Sequence, residues 1–498
     1  MNLVAAARPV PSRWVGLVPL TAVLAGIAVA VAGPAVALIA VGGAVAVVAM
    51  VRAPGIVLAA YLLIPFYKGA LDPYLPFDIT MVLAAANGAQ AIALVASRRS
   101  FRTSRLGLAL WVALAVLVLA GATYAPDQSL ALGKAITYWV LVLAAITPAA
   151  IRVGTDLRWV RQLLYACFVI GVVTVLVGLG QLSASTRLTV LGMNTIQVAR
   201  AALLAPVVGI ALIVPQRRLV LTVLVTLMVP LSIVVALASG SRGPILMLLA
   251  LALIGGAQHI ASQRSRAWRP IVGAIALALL SIAVFAMVSA DLPAAALGRF
   301  GSLANFLSGS GSTGGVAGAE TSAAARVSFA GFALEMFMNS PLVGAGTAGF
   351  QALFQGLHGA DAAAYPHNAL VQVAAEYGLV GLAVFLGVVL AAFTRRLPGG
   401  STTRALWALA TFFALNALVS GDIFTGRETL GLILLLLVVS DSGTAETGAR
   451  VSPGPVIGPP RSPRRAQAAG MTHAPSSIAR GRRPDRLDGA APAPEPSG

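Results

Sequence analysis

The chain has 498 residues, of which 58% are hydrophobic and only 10% charged, and its mean hydropathy is +0.90. A soluble globule needs about 25% charged residues, and the apolar runs here are continuous rather than alternating, which excludes a β-barrel. The composition therefore predicts an all-α, polytopic transmembrane helix bundle. The formal net charge of +18 would point to nucleic acid in a soluble chain, but no basic stripe with interleaved aromatics is present. Arginines that fix membrane topology account for the charge instead.

In chain order, residues 1–14 carry Arg8 and Arg13 and read as a cytoplasmic N-terminus ahead of an uncleaved first helix. Apolar segments follow near 15–32, 34–51, 54–67, 78–96, 106–123, 135–151, 162–181, 196–214, 219–238, 243–257 and 270–290. After a long polar stretch come 369–394, 404–421 and 428–440. Together they predict about 12–14 spans. Residues 15–290 then form an N-terminal bundle, 291–368 one long loop, 369–440 the C-terminal helices, and 441–498 a tail too rich in Pro, Arg, Ala, Gly and Ser to bury a core. The lone Cys167 falls within an apolar run and reads as a packing residue.

The basic residues orient this bundle. Alternate loops hold Arg98, Arg99, Arg102 and Arg105; Arg152, Arg158 and Arg161; Arg217 and Arg218; Arg264, Arg266 and Arg269; and Arg395, Arg396 and Arg404. With Arg8, Arg13, Arg52 and the tail they form one cytoplasmic set, which puts both termini inside the inner (cytoplasmic) membrane. The opposite face keeps only Lys68, Lys134, Arg187, Arg200, Arg242, Arg299, Arg326 and Arg427. Those residues run against the orienting bias, so each needs another reason to be there.

The loop at 291–368 is expected outside the cytoplasm. Its first part, 308–325, is low-complexity and reads as flexible. In its second part Phe329, Phe332, Ala333, Met336 and Phe337 recur at helical spacing, with Ser328, Gly331, Glu335 and Asn339 opposite. This predicts an amphipathic helix, stopped by Asn339, Ser340 and Pro341, that lies on the membrane surface or caps the bundle. The G-x-G-x-x-G at Gly344, Gly346 and Gly349 has no strand before it and reads as a tight turn, not a dinucleotide site.

The residues with chemistry gather on the same face. Ser241, Arg242 and Gly243 break the apolar sequence between two spans, and a guanidinium beside exposed backbone N–H groups suits phosphate oxygens. Arg326 is a second arginine of this kind. Arg200 is a third, which snorkelling from the start of its span would also explain. His367 closes the loop, and the helix after it carries Asn368, Gln372 and Glu376 at four-residue spacing, a stripe that must face protein or water. A metal would want three or four clustered ligands, and His358, Asp361 and His367 make a poor set, so no metal and no other cofactor is expected. The pattern is two or three arginines for an anionic group and one histidine for a proton. No nucleotide motif is visible, so the substrate must bring its own activation, as a lipid-linked diphosphate sugar does.

The order of these features resembles the O-antigen ligase/polymerase superfamily. The resemblance rests on Ser241, Arg242 and Gly243 between two spans, a long loop with Arg326, Pro341 to Gly346, then His367, Asn368 and Glu376 to Leu379. It covers about 230–395. It implies a GT-C-like membrane fold and an inverting, metal-independent glycosyltransferase. The implied donor is a polyprenyl-diphosphate-linked oligosaccharide and the acceptor a glycan or a lipid, with membrane lipids around the protein. It implies Arg242 and Arg326 at the diphosphate and His367 as general base; the residues themselves add Arg200 as a further diphosphate candidate, with Asn368, Glu376 and Ser241 in support. The alternative, from another class, is a lipid-linked glycan flippase or other polytopic transporter, which would favour internal repeats.

Overall fold

The computed structural model describes residues 48–49, 51–97, 104–182, 188–216, 218–262, 317–358 and 365–440. The segments expected at 15–32 and 270–290, nearly all of 34–51, and the tail lie outside these residues. Every regular element described is helical. We number the principal helices α1 (Pro54–Leu62), α2 (Ile79–Ala96), α3 (Arg105–Gly121), α4 (Gln128–Gly154), α5 (Leu157–Gly180), α6 (Thr195–Gln216) and α7 (Leu219–Ala238). They continue as α8 (Gly243–Ser262), α9 (Ala317–Asn339), α10 (Gly349–His358), α11 (Ala369–Phe393), α12 (Ser401–Ser420) and α13 (Arg427–Val438). Among the described residues, seven helices (α2, α4 to α7, α11 and α12) are long and apolar enough to cross a membrane, and α3 and α8 are shorter apolar helices. The all-α polytopic expectation is therefore met.

Helix starts are written in the sequence as caps. Asp78, Ser104, Asp127, Asp156, Asn194 and Asn368 each accept a backbone N–H from the first turn of the helix that follows, a contact worth about 1 kcal/mol. Asn194 and Gln197 form a reciprocal capping box on α6. In α4 the ring of Pro148 would meet the carbonyl of Ala144. A π turn over Trp139–Ala144 widens the helix just before it.

Two helices form the centre. Every residue of α6 from Val198 to Val208 is buried, and so is every residue of α13 from Glu428 to Val438. α6 packs against α5, where Gly171 leaves room only for the backbone of Ala205. Two segments differ from their sequence reading. The apolar run 54–67 does not cross as one helix: α1 ends at Leu62, followed by a short 3-10 turn from Ile64 through Pro65 to Phe66. Low-complexity composition also misled at 317–325. α9 begins at Ala317, because the alanines there are strong helix formers.

The bundle has two chemically distinct ends. Arg152, Arg161, Arg395 and the start of α12 meet at one: Arg161 donates to Thr402 Oγ1, and Arg395 donates to the carbonyls of Leu436 and Leu437. Arg200, Arg242, Arg326, His367 and Arg427 belong to the other, where α6, α8, α11 and α13 begin and α7 and α12 end.

Candidate functional site

α9 and α10 are docked against α11 at this second end. Ala333 and Met336 of α9, Phe350 of α10 and Ala375 of α11 form a small core of their own, with Phe329, Phe332, Leu353 and Phe354 against it. Phe329 meets Phe354 edge-on at 5.0 Å, and Phe350 stacks on Phe354 at 5.8 Å. The buried and exposed faces of α9 are those its periodicity predicts: Glu335, Met338 and Asn339 are exposed. α10 was not expected, although Phe350, Leu353, Phe354 and Leu357 carry the i, i+3, i+4, i+7 signal in the sequence.

The turn after Pro341 has a partner. α11 is broken at Gly378, whose φ of 61° and ψ of −157° are open essentially only to glycine. A broken helix leaves carbonyls and N–H groups unpaired. The turn supplies them. Ala345 and Gly346 donate to the carbonyls of Ala375 and Glu376, and Leu379 and Val380 donate to those of Pro341 and Leu342, at 2.8–3.1 Å. Gly344 and Gly346, at φ of 69° and 86°, let the two backbones touch. Thr347 ties the turn to α3 by donating to the carbonyl of Val118, and it shares a 3.0 Å hydrogen bond with Tyr377.

This clamp fixes the start of α11 and the residues before it. His367 takes a left-handed φ of 58°, a conformation histidine tolerates better than most residues. Its ring stacks on Phe329 at 6.0 Å and lies 4.1 Å from that of Tyr365. Arg326 lies one turn before Phe329 on α9, so the same helix face delivers the stacking ring and the guanidinium. His367 Nδ1 and Arg326 Nε are buried without hydrogen-bond partners. Burial first, and the Arg326 charge second, hold the His367 imidazole down at about 4, while Asp422 pulls the other way. The imidazole is therefore neutral at neutral pH. The sign for stability follows: from about pH 4 up to its ordinary 6.5 the unfolded chain binds this proton more readily than the folded one, so stability rises with pH across that window.

The polar stripe faces protein. Asn368 accepts from Leu370 N and Val371 N. Gln372 donates to Asp422 Oδ1 at 3.1 Å and accepts from Ile423 N at 3.2 Å. Glu376 is 1% exposed and lies against Gln372 and Ala348. Asp422 is held further by Phe424 N and by Thr425 Oγ1, which donates to Oδ2.

Arg200 faces inward and is 9% exposed, which corrects the snorkelling reading. It donates to the carbonyl of Ser420 at 2.9 Å, and its Nη1 lies 3.7 Å from Glu428 Oε1. Both Arg200 and Arg326 act on Tyr365, which also hydrogen-bonds Ser420. Arg242 precedes α8, whose first residue, Gly243, lies against Val419 at the end of α12. Ser241 is half-buried, and its N–H donates to Ser239 Oγ at the turn made by Gly240. The structure thus groups Arg200, Arg326, Tyr365, His367 and Asp422, with Arg242 at the adjoining helix end. Sequence reasoning missed Asp422 and Glu428. It noted Arg427 only as a cation on the less basic face. The side chains of His358 and Asp361 lie outside the described residues.

Fold and site together define a polytopic helical membrane protein with a buried, charged centre at one end of its bundle, beside the packed α9 and α10. The O-antigen ligase family model matches residues 227–386, a segment that runs from within α7 into α11 and contains Arg242, Arg326 and His367. Over this segment the chain is similar to the O-antigen ligase family. No curated protein and no solved structure matches the chain.

Proposed function

We propose that this protein is an inverting glycosyltransferase that transfers or polymerises a polyprenyl-diphosphate-linked glycan at the outer face of the cytoplasmic membrane. The observation that carries the reading is the pairing of a neutral, half-buried imidazole with a guanidinium within the family segment. In the reaction an acceptor hydroxyl oxygen forms a bond to the anomeric carbon from the face opposite the diphosphate. The anomeric carbon–oxygen bond to phosphorus breaks, and its electron pair leaves with the diphosphate. His367 takes the hydroxyl proton. Arg326 and Arg242 hold the diphosphate and stabilise its growing charge. Asn368 and Ser241 support them by fixing the backbone, and Glu376 by fixing the clamp. The reading includes both termini in the cytoplasm and residues 291–368 outside. Its test is turnover of purified protein in nanodiscs with a polyprenyl-diphosphate oligosaccharide and candidate glycan and lipid acceptors. Absence of any glycan transfer, with donor and protein intact, overturns it.

The Arg326 charge gives this base a substrate-dependent strength. A bound diphosphate neutralises the guanidinium and removes one of the two effects that weaken the imidazole. The acid limb of kcat/KM, which reports the free enzyme, is therefore expected near pH 4, and the limb of kcat at higher pH. Arg326→Gln raises the His367 midpoint in the donor-free protein toward 6.5, read by imidazole nitrogen NMR. A midpoint that Arg326→Gln leaves unchanged contradicts the coupling.

Among the described residues no group of three or more His, Cys, Asp or Glu side chains converges. The metal-independent reading predicts that turnover persists in excess EDTA. Loss of turnover there, restored by added Mg²⁺ or Mn²⁺, counts against it.

A further inference from the structure

Beside the histidine lies a cavity of about 360 Å³ whose walls come from α6, the residues after α1, and the loop that joins α12 to α13. Its volume falls within the range of small-molecule sites, about 300–1,000 Å³. Arg200 enters from one wall, and Arg427 and Glu428 from the other. Arg200 is 9% exposed and Glu428 6%. Arg427 is braced over the ring of Tyr61 at 5.5 Å. All three keep buried polar atoms without a hydrogen-bond partner: Arg200 Nε, Arg427 Nε and Nη1, and Glu428 Oε2. Buried polar atoms in folded proteins are nearly always satisfied, so a set of four around one cavity asks for a ligand.

The chemistry of the set selects that ligand. Three guanidinium nitrogens require acceptors, and one carboxylate oxygen requires a donor. A diphosphate diester offers only acceptors at neutral pH, and Glu428 and Asp422 would repel any phosphate anion. An apolar lipid chain satisfies none of the four. Sugar hydroxyls both accept and donate, and several lie close together on one ring. Tyr365 is part of the wall and stands two residues before His367, so a ring held here lies beside the imidazole.

We infer that this cavity is a sugar-binding subsite, in which Arg200, Arg427 and Glu428 grip the hydroxyls of one glycan ring. The assignment moves Arg200 away from the diphosphate. It rests on the transferase reading only for which sugar the cavity takes, the donor's or the acceptor's.

Binding and turnover test it separately. The binding probe is the free oligosaccharide released by mild acid from the host's lipid-linked donor, with inorganic phosphate as the comparison. In wild-type protein in nanodiscs, the oligosaccharide is expected to slow hydrogen exchange across 421–430, and phosphate is not. In turnover, Arg427→Gln and Glu428→Gln are expected to raise the KM of one glycan substrate about ten- to a hundredfold, as loss of hydrogen bonds to charged groups does. A rise for the acceptor assigns the subsite to the acceptor, and a rise for the donor to the donor glycan. Ala417→Phe fills the same cavity without touching a charge and is expected to act in the same direction, which covers the case in which a charge variant fails to fold. Protection by phosphate alone, or KM values unchanged for both substrates, overturns the subsite and leaves the transferase reading in place. Protection by the oligosaccharide with no turnover does the reverse.

Discussion

Replacing His367 with alanine is expected to abolish transfer while the lipid-linked donor still binds. A hydroxyl is a poor nucleophile until its proton leaves, and general-base help is worth about 10²–10⁴-fold in rate. The neutral imidazole carries no charge for a diphosphate to recognise. Its loss therefore falls on kcat rather than on donor affinity. Arg326→Ala and Arg242→Ala differ from it in kind. A diphosphate is already charged before reaction, so both variants are expected to weaken donor binding as well as turnover. Lysine at either position restores the charge without the planar fork, and rescue should be partial. The measurement is kcat together with donor affinity for each variant in nanodiscs. Normal turnover of His367→Ala would move the base elsewhere.

The second large effect is structural. Gly378→Ala is expected to destabilise the protein by about 3 kcal/mol or more and to abolish activity. Non-glycine residues in this backbone region cost about 1–3 kcal/mol in strain alone. A Cβ at Gly378 would also overlap the backbone of Leu342 and come to 2.6 Å from Val343 N. Those atoms cannot retreat without breaking the four hydrogen bonds that mend the interrupted helix. Gly331 is the control. It lies exposed on α9 with nothing within 4 Å of an added Cβ, so Gly331→Ala should leave stability unchanged or raise it by about 0.5–1 kcal/mol. Thermal unfolding in detergent compares the two, and equal melting temperatures would refute the clamp.

Much of this architecture was legible because membrane helices announce themselves by length and composition. The run 219–238 became α7 with the same bounds, and the periodicity of Phe329, Phe332, Ala333 and Met336 gave the buried side of α9. The glycines after Pro341 were read as a tight turn, and they are one. What the sequence did not disclose is that the turn pairs with a break at Gly378, because a lone glycine in an apolar helix reads as packing. The burial of Arg200, against the snorkelling alternative, was hidden for a related reason. A cation near a span's end is explained equally well by water and by a buried carboxylate, and Glu428 lies 228 positions further on. Distance along the chain, not weakness of the signal, hid the cavity and its walls.

The burial of α13 bears on how the protein is made. Arg427–Val438 has 12 residues, about 18 Å of helix, against a hydrocarbon layer of about 30 Å. It also begins with two charged residues. Such a segment is a poor client for the insertion machinery when it emerges alone. Its place against α4, α11 and α12 exists only after those helices and α6 have been laid down, since Arg200 supplies the opposite charge for Glu428. α13 is thus expected to be admitted to the membrane by the protein rather than by the lipid. Its integration efficiency, followed on nascent chains by glycosylation-site mapping, should drop when Arg200 is replaced by leucine, long before any substrate is present.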